Sequence, residues 1–106
     1  DGYKDLLVYH GSGARANELY FLYLFDKKSL TYKKVDGFEE WPNLNKTKME
    51  GVLASTILTG IVEYRFFTLT DSGQLVDLGI SEEDLNLDGK ELDKGLRRAK
   101  RKLNMK

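Results

Sequence analysis

The chain has 106 residues, 41% of them hydrophobic and 32% charged, with 17 basic residues balancing 17 acidic ones. That length suits a single domain, 1–106, able to bury roughly 60–70% of the surface its unfolded form exposes without help from a metal or disulfide. A neutral molecule has no overall field to draw in nucleic acid. A chain without cysteine has no disulfide framework, thiolate zinc site or cysteine nucleophile.

No apolar run is as long as a membrane span or a signal peptide, so no membrane insertion by this segment is expected. The chain opens on Asp1-Gly2-Tyr3 without a methionine, as a mature or trimmed segment would, and any targeting segment is expected to have been removed.

In chain order, the first predicted strand is Asp5 to His10, ended by Gly11-Ser12-Gly13. The second, Glu18 to Phe25, puts Leu19, Phe21, Tyr23 and Phe25 on one face and Tyr20, Leu22 and Leu24 on the other. Apolar residues on both faces predict a central strand covered on both sides. Asp26-Lys27-Lys28-Ser29 is a turn whose Asp and Ser side chains can bond back to the backbone. It leads to a third strand, Leu30 to Val35, completing a hairpin. Asp36 to Glu50 has no period and holds the only proline and tryptophan, Pro42 and Trp41. It is expected to be a packed connection anchored by Phe38 and Trp41.

A fourth strand is predicted over Gly51 to Thr56 and a fifth over Ile61 to Leu69. In the fifth, Val62, Tyr64, Phe66 and Thr68 share one face and Glu63, Arg65, Phe67 and Leu69 the other. Thr70-Asp71-Ser72-Gly73 closes a second hairpin, with Gln74 to Leu78 as the return strand. Beyond it, Leu92, Leu96, Ala99 and Leu103 recur at helical spacing, predicting a C-terminal helix within 88–104. Asp88 stands at the expected N-cap, acids lie in the first turn and bases in the last. Gly95 inside it costs about 1 kcal/mol relative to alanine, so the helix must lean on the sheet. The fold expected is α+β: an antiparallel β-meander of about six strands over 1–80 with one C-terminal helix.

Catalytic devices are poorly supplied. His10 is the only histidine, and nothing marks Ser12 as a strained nucleophile. The acids cluster at turns and on the tail, where solvation is the ordinary reading. Gly11-Ser12-Gly13 lacks the following helix that a phosphate cradle requires. The basic residues of the tail lack the interleaved aromatics that base stacking needs, so they read as a solvated face.

Two acidic stretches have the pattern of a calcium loop. Asp84-Leu85-Asn86-Leu87-Asp88-Gly89 alternates three oxygen side chains before a glycine. Glu91 and Gly95 depart from the usual apolar and closing-glutamate positions, and an acidic turn capping the helix explains the pattern equally well. The second stretch is Asp1-Gly2-Tyr3-Lys4-Asp5-Leu6-Leu7-Val8, with Asp1 and Asp5 as side-chain ligands.

That opening resembles the second half of the D-x-N-x-D-G-Y-x-D-L loop of FG-GAP or VCBS-type units and of a class of small bacterial envelope lipoproteins. The order of later motifs is similar to that class: His10-Gly11-Ser12-Gly13, Tyr20 to Asp26, Trp41-Pro42-Asn43, Ala54-Ser55-Thr56, Gly60, Glu63-Tyr64, and Ser72-Gly73-Gln74-Leu75-Val76. The likeness spans about the first 80 residues; the upstream half of the calcium loop and the helix after Asp88 fall outside it.

Some members resemble periplasmic inhibitors of, or immunity proteins against, lysozyme-like peptidoglycan hydrolases, acting by a loop pushed into the hydrolase cleft. The resemblance therefore implies a noncatalytic binding domain of the periplasm or cell envelope with a protein partner. The implied loops are Gly11 to Asn17, with Ser12, Arg15 and Asn17, and Ser55 to Tyr64, with Thr59 and Tyr64. A calcium-stabilised structural or adhesion domain is the second expectation, and an uncharacterised hydrolase the third.

Overall fold

The computed structural model describes residues 5–12, 17–85 and 89–104. Among them seven strands form two antiparallel sheets, followed by one helix. The first sheet has the order β1 (Leu6–Ser12), β2 (Glu18–Asp26), β3 (Thr31–Lys34). The second has the order β4 (Leu44–Lys46), β5 (Leu53–Leu58), β6 (Val62–Leu69), β7 (Leu75–Asp84). Helix α1 runs over Lys90–Asn104. Each sheet is a simple up-and-down ribbon, so the α+β meander expected from the alternating aromatic strands is the fold.

The break between the sheets lies in the stretch around the proline. There a single 3₁₀ turn, Phe38–Glu40, buries Phe38, and Gly37 enters it at φ 84°. The short strand β4 emerges from this stretch and pairs Leu44, Asn45 and Lys46 with Ser55, Ala54 and Leu53. Three residues are too few to show a period, which is why only a connection was expected here. The last strand also exceeds its expected end at Leu78, reaching Asp84. A register shift between Arg65 and Phe67 and a positive φ at Gly79 keep Leu78, Ile80, Glu82 and Asp84 buried while their neighbours face out.

The four-stranded sheet is the middle layer. One face joins the helix in a core of Val52, Ala54, Tyr64, Phe66, Leu78, Ile80, Leu96 and Ala99. The other meets the first sheet across Val35, Phe38, Leu44 and Phe67, with Leu22, Leu24, Trp41 and Leu69 packed against them. Strand β6 therefore divides its side chains between two cores, as its two-sided alternation predicts. Phe66 is 0% exposed on the helix side and Phe67 1% on the other.

Gly95 is explained by the same layer. A Cβ there would sit 2.2 Å from the Phe66 ring, so only glycine lets the helix approach this closely. The helix is further fixed by Arg98 donating to Glu82, by Lys94 3.9 Å from the same carboxylate, and by the Lys102 Nζ donating to the Leu78 carbonyl at 2.5 Å.

Candidate binding surface

The two segments singled out in the sequence touch through Asn17 and Leu58. Asn17 precedes β2 and Leu58 ends β5, yet the Asn17 Nδ2 donates to the Leu58 carbonyl at 2.8 Å, and the Leu58 N–H donates back to Asn17 Oδ1 at 2.8 Å. A second amide repeats the device. Asn43, held at φ 51°, donates its N–H to the Glu18 carbonyl and its Nδ2 to the Thr56 carbonyl, at 2.7 and 2.9 Å. Its Oδ1 accepts from the Glu18 N–H at 3.2 Å. An amide side chain carries both a donor and an acceptor, so it can close a backbone-like pair where two sheets have no ladder between them.

Asn17 is thus a clip between the sheets rather than a tip offered to a partner. Tyr64 needs a fuller correction. It is 9% exposed within the helix-side core, and its hydroxyl donates to Asp84 Oδ2 at 3.1 Å. Position on the inward face of β6 removes it from any partner's reach. Thr59 is exposed at the bend between β5 and β6, with its N–H donating to the Ile61 carbonyl at 3.1 Å. Ser12 closes β1, in register with Glu18. Arg15 lies outside the described residues.

The expected calcium ligands divide similarly. Asp1, Asn86 and Asp88 lie outside the described residues. Asp5 is exposed, and its Oδ1 accepts the Phe25 N–H at 3.1 Å, pinning the start of β1 to β2. Asp84 is 2% exposed, and its Oδ2 accepts both the Tyr64 hydroxyl and the Gly89 N–H, the latter at 3.0 Å. The Gly89 carbonyl accepts the Asp93 N–H, so Gly89 occupies the N-cap position expected of Asp88. A buried carboxylate held at a helix N-terminus is a staple that the helix dipole favours. Among the described residues, no group of three or more His, Cys, Asp or Glu side chains is placed to hold a metal ion.

A surface not anticipated from the sequence lies on the first sheet. The face of β2 carrying Phe21, Tyr23 and Phe25 belongs to neither buried cluster, and these residues are only half-buried. Two-sided apolarity predicts a strand covered on both sides; among the described residues the second face is screened by neighbours on its own sheet. The His10 ring tilts against Phe21 at 4.4 Å, Tyr32 stands edge-on to Phe25 at 5.2 Å, and the Lys34 ammonium lies 4.9 Å from the Phe21 ring centre. Leu6 and Val8, in register with Tyr23 and Phe21, extend the face at 44% and 43% exposure. The result is a flat aromatic platform edged by a lysine and a histidine. The signal that could have revealed it is the short, lysine-rich β3, which cannot support a covering layer.

Two groups titrate low. The Lys28 backbone N–H and the Ser29 side chain hold Asp26 below the ordinary carboxylate value in its turn. Glu39 is lowered by its own backbone N–H and by Lys34, whose ammonium donates at 3.2 Å, against the opposing effect of burial. Both shifts serve the fold.

Comparison with family models, curated proteins and solved structures finds no match. No helix among the described residues is long and apolar enough to cross a membrane.

Proposed function

We propose that this chain is a noncatalytic binding domain of the bacterial envelope, acting as an inhibitor of, or immunity protein against, a peptidoglycan hydrolase. The observation that carries the reading is the half-open aromatic platform of Phe21, Tyr23, Phe25 and Tyr32, on the sheet whose strand β2 begins next to the Asn17–Leu58 clip. Aromatic side chains on a sheet give large contact area at low entropic cost, which is what an interface anchor needs. The motif order of the first 80 residues supports the choice of partner class.

The test is to mix the purified domain with lysozyme-type and other peptidoglycan hydrolases and follow lysis of cell-wall suspensions. Loss of lytic activity in proportion to added domain is the expected result, weakened at least about tenfold by Phe21→Ala or by Arg15→Ala. Full lytic activity against the whole hydrolase series removes the reading. The second reading is a calcium-stabilised structural or adhesion domain, and it rests on the alternating oxygen side chains of the sequence from Asp84 to Gly89. It requires a melting temperature that rises strongly with calcium and falls with chelator.

A further inference from the structure

Among the described residues the two sheets have four edges, and three are blunted. Strand β3 is four residues long with Lys33 and Lys34; β4 is three residues long with Lys46. Strand β7 carries Asp77, Glu82, Glu83 and Asp84, and α1 packs along it. Short length, lysines, acids and a covering helix are the usual means of keeping an edge from pairing with another chain.

Strand β1 has none of them. From Leu6 to Ser12 it holds no charged residue and no proline, and Leu6, Leu7, Val8 and Tyr9 are 44, 48, 43 and 56% exposed. Its one irregularity is the register shift at His10, which leaves Leu6 to Tyr9 as the regular strip.

The direction of its backbone groups can be read from the hydrogen bonds around β2. The Leu22 carbonyl accepts from Val35, on the β3 side, whereas the Phe25 N–H donates to Asp5, on the β1 side. Antiparallel strands alternate these directions residue by residue. Phe21 and Tyr23 therefore address Val8 and Leu6, their partners in register, and the N–H and C=O of Leu7 aim away from β2. Beside that edge lies an open cleft of about 490 Å3 whose leucine floor includes Leu7, Leu22, Leu24 and Leu44 and whose lining also holds Asp5, Asn45 and Lys46.

An open edge beside a cleft floored by leucines takes an extended strand whose alternate side chains are apolar. We infer that the occupant is β1 of a second copy of this chain, joining two three-stranded sheets into one across a two-fold axis. The strand is its own complement. Centred on Leu7, the antiparallel register sets Leu6 opposite Val8 of the other copy on the outer face, and Leu7 opposite Leu7 at the mouth of the cleft. No charge opposes the pairing from within the strip, and a chain of zero net charge does not repel its copy. The aromatic platform stays uncovered and becomes twice as wide, so this dimer is independent of the hydrolase reading.

Sedimentation equilibrium of the whole chain from about 1 μM to about 1 mM tests it, because an edge-to-edge dimer must dissociate on dilution. The expected result is a monomer–dimer equilibrium whose dissociation constant rises at least about tenfold in Leu7→Lys, with Thr31→Lys on the opposite edge leaving it unchanged. Circular dichroism checks that Leu7→Lys keeps its strands. Should that variant misfold, amide exchange on the unaltered chain decides: the Leu7 N–H must gain protection as concentration rises. A monomer throughout the range overturns the inference and leaves the edge to a strand of another protein. A dimer that survives Leu7→Lys, or forms without protecting Leu7, overturns it equally.

Discussion

The two sheets use the same kind of sequence to different ends. The four-stranded sheet has both faces covered, by α1 on one side and by the first sheet on the other. The three-stranded sheet has one face covered and presents aromatic rings on the other. Strands β2 and β6 are alike in composition, yet Phe66 and Phe67 are sealed while Phe21 and Phe25 stay half-open. The strands themselves do not make the difference; the segments next in the chain do. Strand β6 is succeeded by β7 and a helix, β2 by a short lysine-bearing strand and a return loop. Stability is expected to concentrate in the covered sheet and recognition in the open one.

The sharpest way to break that contrast is to remove one phenylalanine from each sheet. Phe66→Ala should cost about 3–5 kcal/mol in urea unfolding, because it leaves a cavity between sheet and helix. Phe21→Ala, whose site opens to water, should cost well under half of that while weakening the proposed hydrolase inhibition at least about tenfold. Equal losses would mean that the platform is covered. Next in size is Gly95→Ala. On an ordinary helix it would stabilise by about 1 kcal/mol. Against the Phe66 ring it should instead destabilise by about 1–3 kcal/mol, since ring or helix must shift. A higher melting temperature in this variant would refute the close docking of α1.

Smaller effects probe how the sheets are joined. Asn43→Ala removes an amide bonded to both sheets and should cost about 1–3 kcal/mol, through backbone groups left without their partner. Asn17→Ala should behave alike, and a double-mutant cycle should show positive coupling, since both clips close the same end. Smallest is the acid response. Asp26 and Glu39 have folded pKa values below their unfolded ones, so their contribution is complete above the ordinary carboxylate range. It fades as pH falls through about 4. Asn in place of Asp26 and Gln in place of Glu39 should flatten that part of the stability–pH profile and leave the neutral-pH end nearly unchanged. A profile that keeps its acid limb in the double variant would place the responsible groups elsewhere.

The candidate site was only partly legible. Alternation in β6 correctly assigns Tyr64 a face, but periodicity cannot say what covers that face, and the helix that seals it comes from residues 90–104. The Asn17–Leu58 clip joins positions 41 residues apart, a pairing no local pattern encodes. At the start of the acidic run, Asp84 ends β7 and is drawn inward by Tyr64 and the helix N-terminus, a placement that alternation alone does not encode.

What the sequence settled on its own is the local order: strands where apolar residues alternate, turns at Asp26–Ser29 and Thr70–Gly73, and a helix where Leu92, Leu96, Ala99 and Leu103 share a stripe. These depend on short-range sterics and on burying one face, which neighbouring residues dictate. What the tertiary structure alone decided is the division into two sheets, the extra strand β4, the exposure of the β2 platform, and the choice of which polar groups are buried. Those outcomes turn on which layer lands on which face, and that is a competition among distant segments for the same apolar surface.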